Sequence, residues 1–143
     1  MDHFNLWYEI FQELDFKYKL CLIFSTSHCK NSLHITNLFD IDKKYLMVLT
    51  NNILKWSIFE HVTDLYASSN KNITNVSFLS HLKMLDASYD SGLGQDGITG
   101  LNLIGFAAND NSKICDMSFM HNLKELYANY RCGIDQNGIN IIC

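Results

Sequence analysis

The stretch Ile73–Ile98, ITNVSFLSHLKMLDASYDSGLGQDGI, occurs a second time in this chain as Ile114–Ile139, ICDMSFMHNLKELYANYRCGIDQNGI. The copies align without a gap from first residue to last. Ser77-Phe78 falls on Ser118-Phe119, Leu82-Lys83 on Leu123-Lys124, and Gln95, Gly97 and Ile98 on Gln136, Gly138 and Ile139. Self-similarity at a fixed period is decisive for architecture, because each unit buries its apolar face against the next. Each copy divides again. The pattern apolar-x-x-apolar-x-Ala recurs at Val62/Leu65/Ala67, Leu82/Leu85/Ala87, Leu103/Phe106/Ala108 and Leu123/Leu126/Ala128, in nearly equal steps along the chain.

That spacing lies in the range of leucine-rich repeats, in which a short strand is followed by a return segment. It predicts an α/β fold: a leucine-rich-repeat solenoid of about four repeats, with parallel strands near 63–67, 83–87, 104–108 and 124–128 on its concave face. Val62, Leu82, Leu103 and Leu123 then form one inward ladder, Leu65, Leu85, Phe106 and Leu126 a second, and the four alanines a third. Alanine in the third column implies close approach of the return segment, so a bulky residue there overpacks the core. Beyond the alanines stand Asn70, Asp90, Asn111 and Arg131, one in each unit. Asparagine at this place satisfies loop backbone groups because its amide both donates and accepts; the ionised Asp90 only accepts and Arg131 only donates. The returns read as turns or at most single helical turns, and Gly97 and Gly138 are expected at positive φ.

Length and composition are those of one domain, with 48% hydrophobic and 13% aromatic residues, ample for a continuous core. A net charge of −4 with no concentration of Lys and Arg argues against nucleic acid as a partner. The apolar run Leu20–Phe24 is far too short to span a bilayer, so no membrane partner is expected. The acidic start, MDHFNLWYEIFQE, is unlike a signal peptide, which points to an intracellular protein. Asn72 and Asn75 match glycosylation acceptors only by coincidence on that reading. Cys21, Cys29, Cys115, Cys132 and Cys143 have no paired spacing and read as reduced thiols, mostly buried. Neither a metal site nor a cofactor is expected, and His81 and His121 read as surface or loop residues at repeat corners.

Ahead of the repeats the pattern is helical. Leu6, Ile10, Phe11 and Leu14 mark a helix over about 4–14, Asp15 caps a second ending near Ser27, Asp40 or Asp42 starts a third, and Asn52 caps a fourth carrying Ile53, Trp56 and Phe59. Residues 1–60 thus form a helical cap over the open end of the repeats at 61–143, as a repeat stack requires. The segment Trp7–Leu20 followed by His28-Cys29-Lys30 is similar to a degenerate F-box, and the whole chain resembles the leucine-rich-repeat proteins of giant DNA viruses of amoebae. The first resemblance implies docking of a Skp1-type adaptor through Leu6, Ile10, Phe11, Leu14 and Leu20, in a substrate receptor of a cullin–RING ubiquitin ligase. The second implies residence in the host cytoplasm.

No catalytic motif is present: no nucleophile elbow, phosphate loop or paired histidines, and an enzyme is not expected. A concave repeat surface is suited to protein recognition, since its ordering cost is already met. The candidate binding residues are the outward ones: Asp64, Tyr66, Ser68, Lys83, Asp86, Ser88, Asn109, Lys124, Glu125, Tyr127 and Asn129. Tyr66 and Tyr127 read either as rigid anchors for a partner or as packing against neighbouring strands. The alternative to a substrate receptor is a plain interaction scaffold whose N-terminus only caps the core. The chain stops just short of the start expected for a fifth strand, with an apolar final segment. Leu123, Leu126 and Ile134 are therefore expected to face water, with self-association through that C-terminal edge or fraying after about Tyr130.

Overall fold

A computed structural model describes residues 35–38, 46–47, 49–55 and 59–135. Five strands form one all-parallel sheet: β1 Asn37–Leu38, β2 Asp64–Tyr66, β3 Met84–Asp86, β4 Gly105–Ala107 and β5 Glu125–Tyr127, neighbours in chain order. The last four fall inside the ranges that the repeat spacing predicts. Their register aligns the second ladder side by side, Leu65 on Leu85, Leu85 on Phe106 and Phe106 on Leu126. The backbone contacts repeat as regularly as the side chains. Lys83, Ile104 and Lys124 each donate an N–H to a carbonyl of the preceding unit, those of Thr63, Lys83 and Ile104 respectively, all at 2.8 Å.

The inward ladders form the core. Val62, Leu82 and Leu103 are buried, as are Leu65, Leu85 and Phe106, and Ala67, Ala87 and Ala108. Ile73, Val76 and Leu79 of one return segment, and Ile114, Met117 and Met120 of the next, close the other side of the same cluster. In the last unit Leu126 is half-buried, but Leu123 and Ile134 are buried, contrary to the expected exposure along that edge. Both belong to the continuous core cluster, and hydrophobic burial favours that position over an outer rim.

β1 is not among the predicted strands. It lies ahead of the boundary expected at residue 60, in the gap between the second and third predicted helices, and pairs with β2 through Asn37 on Asp64 and Leu38 on Leu65. Its signal is present in the sequence as Ile35-x-x-Leu38, both buried, which match Val62-x-x-Leu65. The step from Ile35 to Val62 is longer than any later step between units, and Asp40 stands where the pattern has alanine. The two features that identify the other strands are therefore both missing.

Helix is sparse among the described residues. α1 spans Asn51–Leu54 and α2 spans Gln95–Ile98, each a single turn on the return side. The cap of α1 is Thr50, whose hydroxyl accepts from Ile53 N at 3.3 Å, and Asn52 lies within the helix. Thr50 takes the cap because it is the residue in extended conformation, φ −131° and ψ 166°. Gly97 lies inside α2 and is not a positive-φ residue. A Cβ there would collide with the Thr74 carbonyl of the preceding return segment, so close approach is what selects glycine. Among the described residues the left-handed positions are instead Ser69, Tyr89, Asp110 and Tyr130, at φ 56–61° and at the repeat spacing, together with Gly100. The predicted helices over 4–14 and 15–27, the F-box-like segment with Leu6, Ile10, Phe11, Leu14 and Leu20, and Gly138 lie outside the described residues.

Candidate interaction face

Within β2–β5 the first and third side chains of each strand project away from the core, and these residues make a surface of in-register rows. The first row in the strands runs Asp64, Met84, Gly105, Glu125; the row after it runs Tyr66, Asp86, Ala107, Tyr127. Lys83 and Lys124, just before their strands, are exposed, as are Glu125 and Tyr127, while Asp64, Tyr66 and Asp86 are half-buried. The two tyrosines differ. Tyr66 packs against the core cluster, whereas Tyr127 is 55% exposed on the edge strand.

Gly105 and Ala107, the smallest residues of their rows, leave a hollow of about 290 Å³ over β4. Met84 and Asp86 stand on one side of it and Tyr127 on the other, with Asn109 beyond Ala107. Asp86, Asn109 and Tyr127 of the sequence-based candidates thus come together around one depression. Met84, Gly105 and Ala107, which line it, are not among those candidates. Their signal is subtractive: two small residues in successive outward rows of one strand.

Ser68 and Ser88 do not belong to this surface. Both are buried, at 2% and 1% exposure, because strand alternation ends with the alanine before each of them and the chain turns through the left-handed Ser69 and Tyr89. The Ser88 hydroxyl lies beneath the face, in a ladder of side-chain acceptors. Ser88 Oγ accepts from Asn109 N at 3.2 Å, and Asn109 Oδ1 accepts from Asn129 N at 2.9 Å. Asn109 is half-buried and tied into this ladder, while Asn129 is exposed at its end. Among the described residues Ser68 Oγ has no partner.

The return side carries its own repeating device. Asn51 Oδ1, at the start of α1, accepts from Thr74 N at 2.8 Å and Asn75 N at 3.2 Å. Gln95 Oε1, at the start of α2, accepts from Cys115 N at 3.0 Å and Asp116 N at 2.9 Å. Cys115 and Asp116 are the equivalents of Thr74 and Asn75 in the second copy of the repeated stretch. Each short helix therefore fastens the next return segment through one amide side chain. Cys115 is exposed in that outer turn and Cys132 is half-buried, so neither is a buried thiol, while Cys21, Cys29 and Cys143 lie outside the described residues. Asp116 Oδ1 accepts from Ser118 N at 2.8 Å, and this bond, with the Ser118 hydroxyl, holds its carboxyl below the usual aspartate value.

A second hollow, of about 480 Å³, opens before the strands, where the His61 and His81 rings lie 5.0 Å apart beside Lys83 and Asn102. No group of three or more metal-ligating side chains occurs among the described residues, and none of their helices is long and apolar enough to cross a membrane. Comparison with known protein families, curated protein sequences and solved structures gives no match.

Proposed function

We propose that the chain is a protein-recognition module, a leucine-rich-repeat solenoid that binds a protein partner on the outward face of its sheet. The observation that carries this reading is the hollow over β4, an apolar-floored depression between an exposed tyrosine and a carboxylate on a preformed sheet. A rigid surface of this kind binds without ordering cost, and an aromatic side chain beside a depression is the usual anchor of such contacts. The solenoid reading is supported by strands in chain order at a regular spacing and by the buried amides of Asn70 and Asn111 at the same repeat position.

The test is selection of a displayed peptide and protein-fragment library on the full chain. Clones that bind through this face lose affinity at least about tenfold with Tyr127→Ala, the loss typical of a central anchor, and are indifferent to Ser77→Ala on the return side. Clones that respond equally to both changes, or only to Ser77→Ala, contradict the proposal. The substrate-receptor role implied by the F-box-like segment has a separate test, co-precipitation with a Skp1-type adaptor. The truncated control begins at residue 35, because removal of β1 would strip a strand from the sheet.

A further inference from the structure

We infer that the hollow over β4 receives the side chain of an arginine presented by the protein partner, an assignment that rests on the recognition role proposed above. Size comes first. At about 290 Å³ the hollow lies at the lower limit of small-molecule sites, which matches one long side chain. Its floor has almost no side chain of its own. Gly105 contributes none, and the Met84 thioether lies over it, with Sδ 2.6 Å from where a Cβ would sit. A flexible thioether on a backbone floor is an adaptable apolar bed for a methylene stem.

Charge and shape then select the head group. The register places Asp86, Ala107 and Tyr127 in one row and Met84, Gly105 and Glu125 in the other. Asp86 is therefore the carboxylate that lines the hollow, with Met84 and Tyr127 beside it, while Glu125 stands next to Gly105 outside that lining. Among the described residues neither Asp86 nor Glu125 is in an ion pair, whereas Asp90 pairs with Lys71 at 3.3 Å. Asp86 spends one oxygen on Ser88 N at 2.9 Å, which holds the carboxylate in place. A guanidinium suits this arrangement better than an ammonium, because its plane stacks on the exposed Tyr127 ring while its edge meets a carboxylate in fork geometry.

The experiment is a titration of the full ¹⁵N-labelled chain with a capped pentapeptide carrying one central arginine between alanines. The same peptide with a central glutamate is the control. The expected result is saturable shifts at the amides of Asp86, Ala107, Asn109 and Tyr127 with the arginine peptide. Asp86→Asn, which keeps the acceptor for Ser88 N, should weaken that binding by at least about threefold, the effect of losing a charge-assisted contact. Ala107→Leu, which fills the hollow, should abolish it. Equal shifts with the glutamate peptide, absence of saturable shifts with the arginine peptide, or unchanged binding to Asp86→Asn overturns the assignment. A library clone lost with Tyr127→Ala but retained by both Asp86→Asn and Ala107→Leu overturns the hollow alone and leaves the recognition role standing.

Discussion

Asp86 Oδ1 accepts the backbone N–H of Ser88 at 2.9 Å, and that one bond breaks the ladder behind the sheet face. In the next unit the equivalent N–H, that of Asn109, turns back to Ser88 Oγ; with Ser88 N taken by Asp86, Ser68 Oγ is left without a partner among the described residues although it is buried. A buried hydroxyl without a bond has lost its water and gained nothing in return. Ser68→Ala is therefore expected to be neutral or to stabilise by up to about 1 kcal/mol, whereas Ser88→Ala should destabilise by about 1–2 kcal/mol by orphaning Asn109 N. Chemical denaturation of the two variants checks the sign; a larger loss for Ser68→Ala contradicts it.

The column after the alanines alternates from unit to unit, with Asn70 and Asn111 buried and Asp90 and Arg131 exposed. Asn111 is buried, donating to Ala87 O at 2.7 Å and Leu93 O at 3.2 Å and accepting from Lys113 N at 3.1 Å. Asn70 does the same for Leu46 O, Leu49 O and Asn72 N. Asn111→Ala should cost about 2–4 kcal/mol, since one truncation leaves three backbone groups unpaired. Asp90, at the same place in the intervening unit, is 82% exposed in a surface pair with Lys71, and its replacement by alanine should leave the unfolding midpoint unchanged. Equal losses at the two positions would contradict the split.

Gly97 sits where α2 meets the preceding return segment. Gly97→Ala puts a methyl against the Thr74 carbonyl and should destabilise by about 1–3 kcal/mol, as overpacking does at a backbone that cannot yield. Gly100 is a control: it has φ +85° but nothing within 4 Å of a Cβ, so alanine there meets only backbone strain, of about 1–2 kcal/mol. Hydrogen exchange separates the two. Gly97→Ala should loosen the Val76 N–H, bonded to Gly97 O at 2.9 Å, and Gly100→Ala should not.

Acidification reaches the outer turns through Asp116. Its pKa is lowered from 3.8 by the Ser118 N–H and hydroxyl, so its contribution is fully present above the unfolded value and is lost as pH falls through the depressed folded value. The turn at Asp116–Ser118 should thus be indifferent to pH between neutrality and about 4 and open below that. Carboxyl-carbon titration by NMR is the check; a midpoint at or above 3.8 means that the bond to Ser118 is absent in solution.

The strands β2–β5 and the inward ladders were legible because a regular repeat spacing and a period of two leave few other ways to bury Leu65, Leu85 and Phe106 together. β1 was not, since Ile35 and Leu38 carry the apolar pair without the alanine and at a longer offset. The candidate face was half legible. Alternation correctly turns Asp86, Glu125 and Tyr127 outward, but it fails at Ser68 and Ser88, because these strands are short and the backbone turns immediately beyond them.

What the sequence determined by itself is the periodicity, and with it the parallel order of the strands and the identity of the core columns, because burial of a repeated apolar pattern depends on spacing alone. Tertiary structure decided everything that depends on which neighbour reaches a polar group first. Ser88 N goes to Asp86 and not to Ser68, Gln95 fastens Cys115 and Asp116 of the next return segment, and Gly105 with Ala107 becomes a hollow only once β3 and β5 stand on either side. Hydrogen bonds and cavities are set by angstrom-scale distances between segments far apart in the chain, and no local pattern encodes those distances.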